Sequence, residues 1–443
     1  MKKSIHRIIA FLLVGMLILA FVGCGTSQDK TAGGDNQDKN GDGKDKGEIR
    51  LGIYVDLNDK EDSYAAAVAE MVKEFEEETG IKVKPELVPW DQLDSKLIIS
   101  NNGGNPVDVS YMSAQKLGSL VNAGALKALD DYIAQDYTEE ELEDFSPAEK
   151  AATTSALDGK KYAMLLSIHS RLIFVNTNII PEDRIPKTWD ELIEIGKEVT
   201  KPDENVWAFL PAMAKHYGNV EQTVAPFIWS AGGRIADDNG NLVVNSPEAL
   251  EAIEFLSDMV NVHKITPEAA YTVDGSQIRD MFAGGNIGMT IDNPAMMTIW
   301  RDTDFAKEGK LKWAPIPYKE KSQNFVNGFG LAIPSKAKNP DGAWKFIEFI
   351  SRPENQIRHS LAEGGAPIRI SSRDNEAYDT DWWKFVFENM DENGRAMDPL
   401  VYYQEGLDAV ITAAVSYFMN PDQDLQKLMD DAVNNFNNKY SNK

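Results

Sequence analysis

One cysteine, 5 His and 70 Asp+Glu set the chemistry open to this chain of 443 residues. A lone cysteine, Cys24, rules out an intrachain disulfide and a multi-cysteine zinc site, and the scattered histidines do not make a His-rich metal centre. Asp38, Asn40, Asp42 and Gly43 imitate the opening of a calcium loop. The twelfth position of that loop is Ile49 instead of a bidentate glutamate, and no amphipathic helix precedes it, so calcium is rejected. No G-x-S-x-G elbow, H-E-x-x-H pair or G-x-x-x-x-G-K-[ST] loop occurs, so the chain carries no nucleophile-elbow, zincin or ATPase motif. The acidic side chains leave one enzymatic alternative open, a glycoside hydrolase, whose two carboxylates need only lie about 5–9.5 Å apart in space. We expect no catalytic residues, no cofactor and no metal. Lys+Arg 45 against Asp+Glu 70 gives 45 − 70 = −25, and so anionic a chain gains nothing from counterion release on a phosphate backbone, which excludes a nucleic-acid partner.

Ligand-binding candidates come from the elements that would carry them. At 42% hydrophobic residues the chain builds packed cores, and its length suggests two or three domains. Ile49, Leu51, Ile53 and Val55 have the period of a strand, and Val68, Met71, Val72 and Phe75 the spacing of a helix that Gly80 stops. Ile81 to Val88 reads as a second strand, Leu93 to Ile99 as a helix, Val107 to Tyr111 as a third strand and Leu117 to Val121 as a helix. Strand–helix repetition predicts an α/β protein with a parallel sheet covered by helices. Ligands of open α/β sheets sit outside the carboxyl ends of the strands, which nominates Asp56 and Asn58 after the first strand and Ser113 and Gln115 after the third. Further on, Leu172 to Val175 is a strand, and Thr188 with Glu191 forms a capping box in which Trp189 packs as structure. Asp237-Asp238-Asn239-Gly240 is a turn before an expected strand Leu242 to Val244, and Ser246-Pro247-Glu248 opens a helix through Val260.

The N-terminus sets the compartment. Lys2, Lys3, His6 and Arg7 precede an apolar run from Ile8 to Val22 that is short for a membrane span, so residues 1–23 read as a secretory signal. Cys24 directly after Gly23 resembles the lipobox of bacterial lipoproteins, with Phe21 where such boxes usually carry leucine. The resemblance implies an acylated Cys24. Residues 24–47, dense in Gly, Asp, Asn and Lys, make a lipid-anchored flexible linker that holds the protein on the extracytoplasmic face of the cell membrane.

Five segments then carry a resemblance over essentially everything after Ile49. They are "NPVDVSYMSAQKLGSLVNAGALKALDDYI" (105–133), "LDGKKYAMLLSIHSRLIFVNTNIIPEDRIPKTWDELIEIGKEV" (157–199), "FIWSAGGRIADDNGNLVVNSPEALEAIEFL" (227–256), "MFAGGNIGMTIDNPAMMTIW" (281–300) and "NGFGLAIPSKAKNPDGAWKFIEFISRPENQ" (327–356). In order and spacing the chain resembles the extracellular solute-binding proteins of carbohydrate ABC importers, the maltose-binding-protein-like family. The resemblance implies a two-lobed periplasmic-binding-protein-like (type II) fold with a hinge and an interlobe cleft. The N-terminal lobe is then 48–166 plus 328–364 and the C-terminal lobe 167–327 plus 365–443, with crossings near Leu165 to His169, Lys321 to Gly328 and Gly364 to Ile368. It also implies a monomer that is not an enzyme, binds a sugar or oligosaccharide, closes on it and delivers it to an ABC permease. Among site residues it points to Trp229 as a stacking ring, to Asp292 and Asn293 as hydroxyl acceptors, and to His169 and Arg171 at the crossing, where a basic pair could read a uronic acid or bridge the lobes. Phe329, Arg369 and Tyr403 fill further family-like positions, and Tyr217 a weaker one. The aromatic that often stands two residues beyond Asn293 is Ala295 here. Tyr402-Tyr403 also resembles the paired tyrosines of ferric-ion binders, which keeps a non-sugar solute open as an alternative.

Overall fold

The computed structural model describes residues 47–155 and 157–440. The expected signal segment and Cys24 lie outside the described residues. Among the described residues there are eleven strands, nine of them in two main sheets: β1 Glu48–Ile53, β2 Lys82–Leu87, β3 Val109–Ser113, β4 Ala163–His169, β5 Leu172–Asn176, β6 Trp207–Phe209, β7 Ile287–Asp292, β8 Leu311–Ala314, β9 Asn324–Phe325, β10 Asn327–Ala332 and β11 Gly394–Arg395. The first sheet runs β2-β1-β3-β10-β4 and the second β6-β7-β5-β8, while β11 and β9 pair on their own. Each main sheet has its own apolar core, Leu51, Phe75, Tyr111 and Phe346 in the first and Phe174, Phe209, Phe227 and Phe282 in the second. The fold is the two-lobed α/β arrangement.

Local chemistry explains the helices on the first sheet. The Asp62 side chain accepts from the main-chain N–H of Tyr64 and Ala65 and starts helix Ser63–Thr79, which Gly80 ends at φ 72°. Val68, Met71 and Phe75, three or four residues apart, bury one face, and Phe75 meets Phe346 edge-on at 5.1 Å. Each such side chain contributes about 1.5–3 kcal/mol of burial. On the second sheet the Thr188–Glu191 capping box is present, and Trp189 stacks between Phe255 at 4.2 Å and Phe227 at 5.7 Å, as a packed side chain.

Two expectations need correction. The first sheet is mixed, because β10 returns from the second lobe and lies antiparallel between β3 and β4. Gly330 makes that insertion possible, since a Cβ there would sit 2.3 Å from the Met164 carbonyl oxygen, and the register shifts between Phe329 and Gly330. Leu242 to Val244 forms only an isolated bridge, Ala236 to Leu242, in place of a strand. Past Gly364 the chain serves both cores: Ala366, Ile368 and Met390 bury in the first, Trp382 lies 5.7 Å from Phe174 and 5.1 Å from Trp313 of the second, and Leu400 is buried there.

The crossings are stitched by buried amides. The main-chain N–H of Arg171 donates to Asn324 Oδ1, Asn389 Nδ2 donates to the Arg171 carbonyl, and Asn324 Nδ2 donates to the Asn389 carbonyl, each at 3.1 Å. Asn324 and Asn389 are both buried, so every one of these bonds is protected from water. Among the described residues no helix is long and apolar enough to cross a membrane.

Candidate binding site

The first-lobe wall is aromatic. Tyr54 follows β1, Trp90 follows β2, and Phe329 stands on β10. Trp90 lies edge-on to Tyr54 at 4.7 Å and to Phe329 at 4.5 Å, with Tyr111 buried beneath Tyr54 at 4.9 Å. Trp90 remains 46% exposed, an unusual state for a tryptophan so well supported from below. This shelf includes the expected Phe329; Tyr54 and Trp90 were missed, although the carboxyl-end rule applied to β2 leads straight to Trp90. Asp56 and Asn58 lie at the exposed rim, where Asp56 accepts from the main-chain N–H of Asn58 at 3.0 Å and from its amide at 2.9 Å. These bonds hold the Asp56 carboxyl below its ordinary range.

Ser113, the last residue of β3, donates its hydroxyl to Asp94 Oδ2 at 3.1 Å, and burial pushes Asp94 up to about 6. Gln115 accepts from Asn327 Nδ2 at 3.3 Å. Lys116, next in sequence, reaches the other lobe: its Nζ lies 4.7 Å from the Tyr217 ring, 5.8 Å from the Tyr403 ring and 3.0 Å from Gln404 Oε1. The weakly nominated Tyr217 therefore does line the junction.

At the first crossing His169 and Arg171 do not stand free. His169 Nε2 is 2.9 Å from Glu363 Oε1, and its ring is 5.8 Å from Phe329, so it closes one end of the shelf. Burial alone would raise the Glu363 carboxyl, but the neighbouring His169 pulls it down to about 2. The Arg171 guanidinium is buried above Phe325 at 5.6 Å, facing Asp292 and Glu221. His169 thus has a carboxylate partner within the protein, while Arg171 Nε has none.

On the second lobe Asp292 ends β7, 2% exposed, and accepts from Arg279 Nε at 2.8 Å and Nη2 at 3.1 Å. It also accepts from the main-chain N–H of Asn293 at 2.8 Å and its amide at 3.0 Å, while Asn293 Oδ1 caps Ala295. Tyr403 donates its hydroxyl to Glu221 Oε1 at 2.9 Å, and burial pushes Glu221 from 4.5 up to about 7. Glu221 lies in a π-helical turn, Val220–Val224, that carried no sequence signal.

Two nominated residues lie elsewhere. Trp229 is in the second core, 3% exposed: its Nε1–H donates to Asp398 at 3.3 Å and the Arg395 guanidinium covers its ring at 4.8 Å. Arg369 is packed on Phe145 at 3.8 Å and donates to the carbonyls of Ser351 at 3.1 Å and Glu141 at 2.8 Å. Both have their polar groups answered within the protein, which leaves neither a ring face nor a donor for a ligand. A groove of about 310 Å³ continues from Gln115, Asn327 and Tyr403 towards Asn239 and Met397. Among the described residues no three His, Cys, Asp or Glu side chains converge as metal ligands would.

The Glu221 environment has a signed consequence. Because its carboxyl binds a proton more tightly in the folded chain, folding is penalised progressively as pH rises from 4.5 to about 7, and fully above that. Glu221→Gln therefore gains stability over the parent at pH 8 and not at pH 4.5. Denaturant midpoints of both proteins at the two pH values check it, and an equal difference at both would contradict it.

The profile of the bacterial extracellular solute-binding protein family matches residues 58–357. The chain belongs to that family. This solute-binding protein is 26% identical over 333 residues to a binding protein of Brucella abortus (strain 2308), covering 73% of this chain and 77% of the relative. It is 25% identical over 360 residues to a maltooligosaccharide ABC transporter solute-binding lipoprotein of Streptococcus pneumoniae (strain ATCC BAA-255 / R6), covering 77% of this chain and 76% of the other. Among solved structures, an ABC transporter solute-binding protein of Thermotoga lettingae bound with α-D-tagatose superimposes with a TM-score of 0.75 at 21% identity, over 88% of this chain and 99% of that one. At that identity the likeness carries the fold, which agrees with the two sheets and their crossings.

Proposed function

We propose that this solute-binding protein captures a sugar or short oligosaccharide in the crevice between its lobes and delivers it unaltered to the permease of an ABC importer. The observation that carries the reading is the shelf of Trp90, Tyr54 and Phe329, with Trp90 exposed, next to the amides of Gln115 and Asn327. Flat rings match the apolar C–H faces of a pyranose, and fixed donors and acceptors match its hydroxyl girdle. The S. pneumoniae relative, described as a maltooligosaccharide-binding lipoprotein, supports the same ligand class and the anchoring of Cys24. In this reading the lobes are 48–166 with 328–364 and 167–327 with 365–443, and they rotate about the three crossings to close on the ligand. The chain acts as a monomer tethered through residues 24–47.

Tryptophan fluorescence titrated with neutral mono- and oligosaccharides tests the reading. A saturable change is expected, with a stability gain of about 2.7 kcal/mol at 100 times the dissociation constant. No response to any saccharide would remove the carbohydrate reading, and release of reducing ends would turn the protein into a hydrolase.

A further inference from the structure

Resting on that reading, we propose that the crevice takes its saccharide end-on: a terminal ring stops beside Phe329, and the chain runs out along the groove towards Asn239. One end of the crevice is shut by backbone. Gly364, at φ +87°, follows Glu363, and a Cβ built on it would lie 2.9 Å from Ala295 Cα and 3.6 Å from Thr298 Cγ2 of the opposite lobe. Next to it, the Cβ position of Gly365 is 2.9 Å from both His169 Cε1 and Ser167 Cβ. The turn 363–365 is therefore wedged between the His169 end of the aromatic shelf and the Ala295 loop, with no width left for a sugar ring. The small Ala295 leaves room for that turn.

The other end is open. Phe325, Val326 and Asn327 line the groove, and Phe329, two residues further along β10, stands on the shelf. They form a continuous floor. Gly118, Ala151 and Gly240 keep the walls of the groove low. In the floor, Asn327 Oδ1 is a buried polar atom with no partner in the protein, on a side chain 5% exposed. Buried polar groups are ordinarily satisfied, so this unanswered acceptor in the groove suits a sugar hydroxyl.

The test is a calorimetric series on the intact protein. It uses linear oligosaccharides of the best-binding sugar, the same compounds with a bulky aromatic tag at the reducing or the non-reducing end, and a cyclic oligosaccharide of the same units. One tagged series should bind within about threefold of the untagged, while the other tag and the cyclic compound lose about a hundredfold, the size of two forfeited hydrogen bonds. Asn239→Trp, an exposed turn position at the mouth of the groove, should weaken the longer members about tenfold and leave the shortest unchanged. Tolerance of both tags, or equal binding of the cyclic compound, would overturn end-on capture while leaving saccharide binding intact. Absence of binding by every saccharide would overturn both.

Discussion

Trp90→Ala lowers saccharide affinity about thirtyfold and leaves the melting temperature of the unliganded protein nearly unchanged. The ring is held from one side by Tyr54 and Phe329 and bare on the other, with 46% of its surface exposed. Its removal takes little from the folded state, since exposed positions away from caps and cores change stability by about 0.5 kcal/mol or less. Bound against a sugar face, the same ring is buried on both sides, and loss of such an anchor costs about 2 kcal/mol of binding, which is the thirtyfold. Trp90→Phe retains a flat face and should recover much of the affinity. Titration of the three proteins with one ligand checks it, and equal affinities would mean that the shelf is not the stacking surface.

Asp398→Ala has the opposite signature, a loss of about 3 kcal/mol in stability. Asp398 is 6% exposed and accepts from the main-chain N–H of Ile235 at 2.7 Å and of Ala236 at 3.3 Å, from Trp229 Nε1 at 3.3 Å and from Arg395 Nη2 at 2.7 Å. Its removal leaves two buried amides, an indole N–H and a guanidinium without their acceptor, each of the neutral groups costing about 1–3 kcal/mol if unanswered. Because Arg395 belongs to β11, which pairs with β9 at the crossings, the damage should reach the hinge. Denaturant unfolding without ligand measures the loss. Trp229→Phe, which removes one donor from this hub, should cost stability and leave affinity nearly intact; a selective loss of affinity would restore Trp229 to the ligand.

What could be read from the chain alone follows the range of each interaction. The capping box of Thr188 and Glu191, the Gly80 stop and the packed Trp189 depend on residues a few positions apart, and all three stand as expected. The roles of His169, Trp229 and Arg369 depend on Glu363, Asp398 and Glu141, partners 194, 169 and 228 positions away, which spacing does not reveal. A basic residue at a crossing reads as a ligand contact until its carboxylate is found. Trp90 escaped for a different reason: exposure of its ring depends on how Tyr54 and Phe329 support it, a fact of the assembled sheet. The segment after Gly364 is similar, since only tertiary contact shows Ala366, Ile368 and Met390 in the first core and Trp382 against Phe174 of the second.

Calorimetry of the purified protein with neutral oligosaccharides, followed by chromatography of the recovered ligand, tests the central claim most directly. The account predicts saturable heat with one ligand per chain and a ligand recovered with every glycosidic bond intact. No heat with any member, or recovery of shortened products, would contradict it.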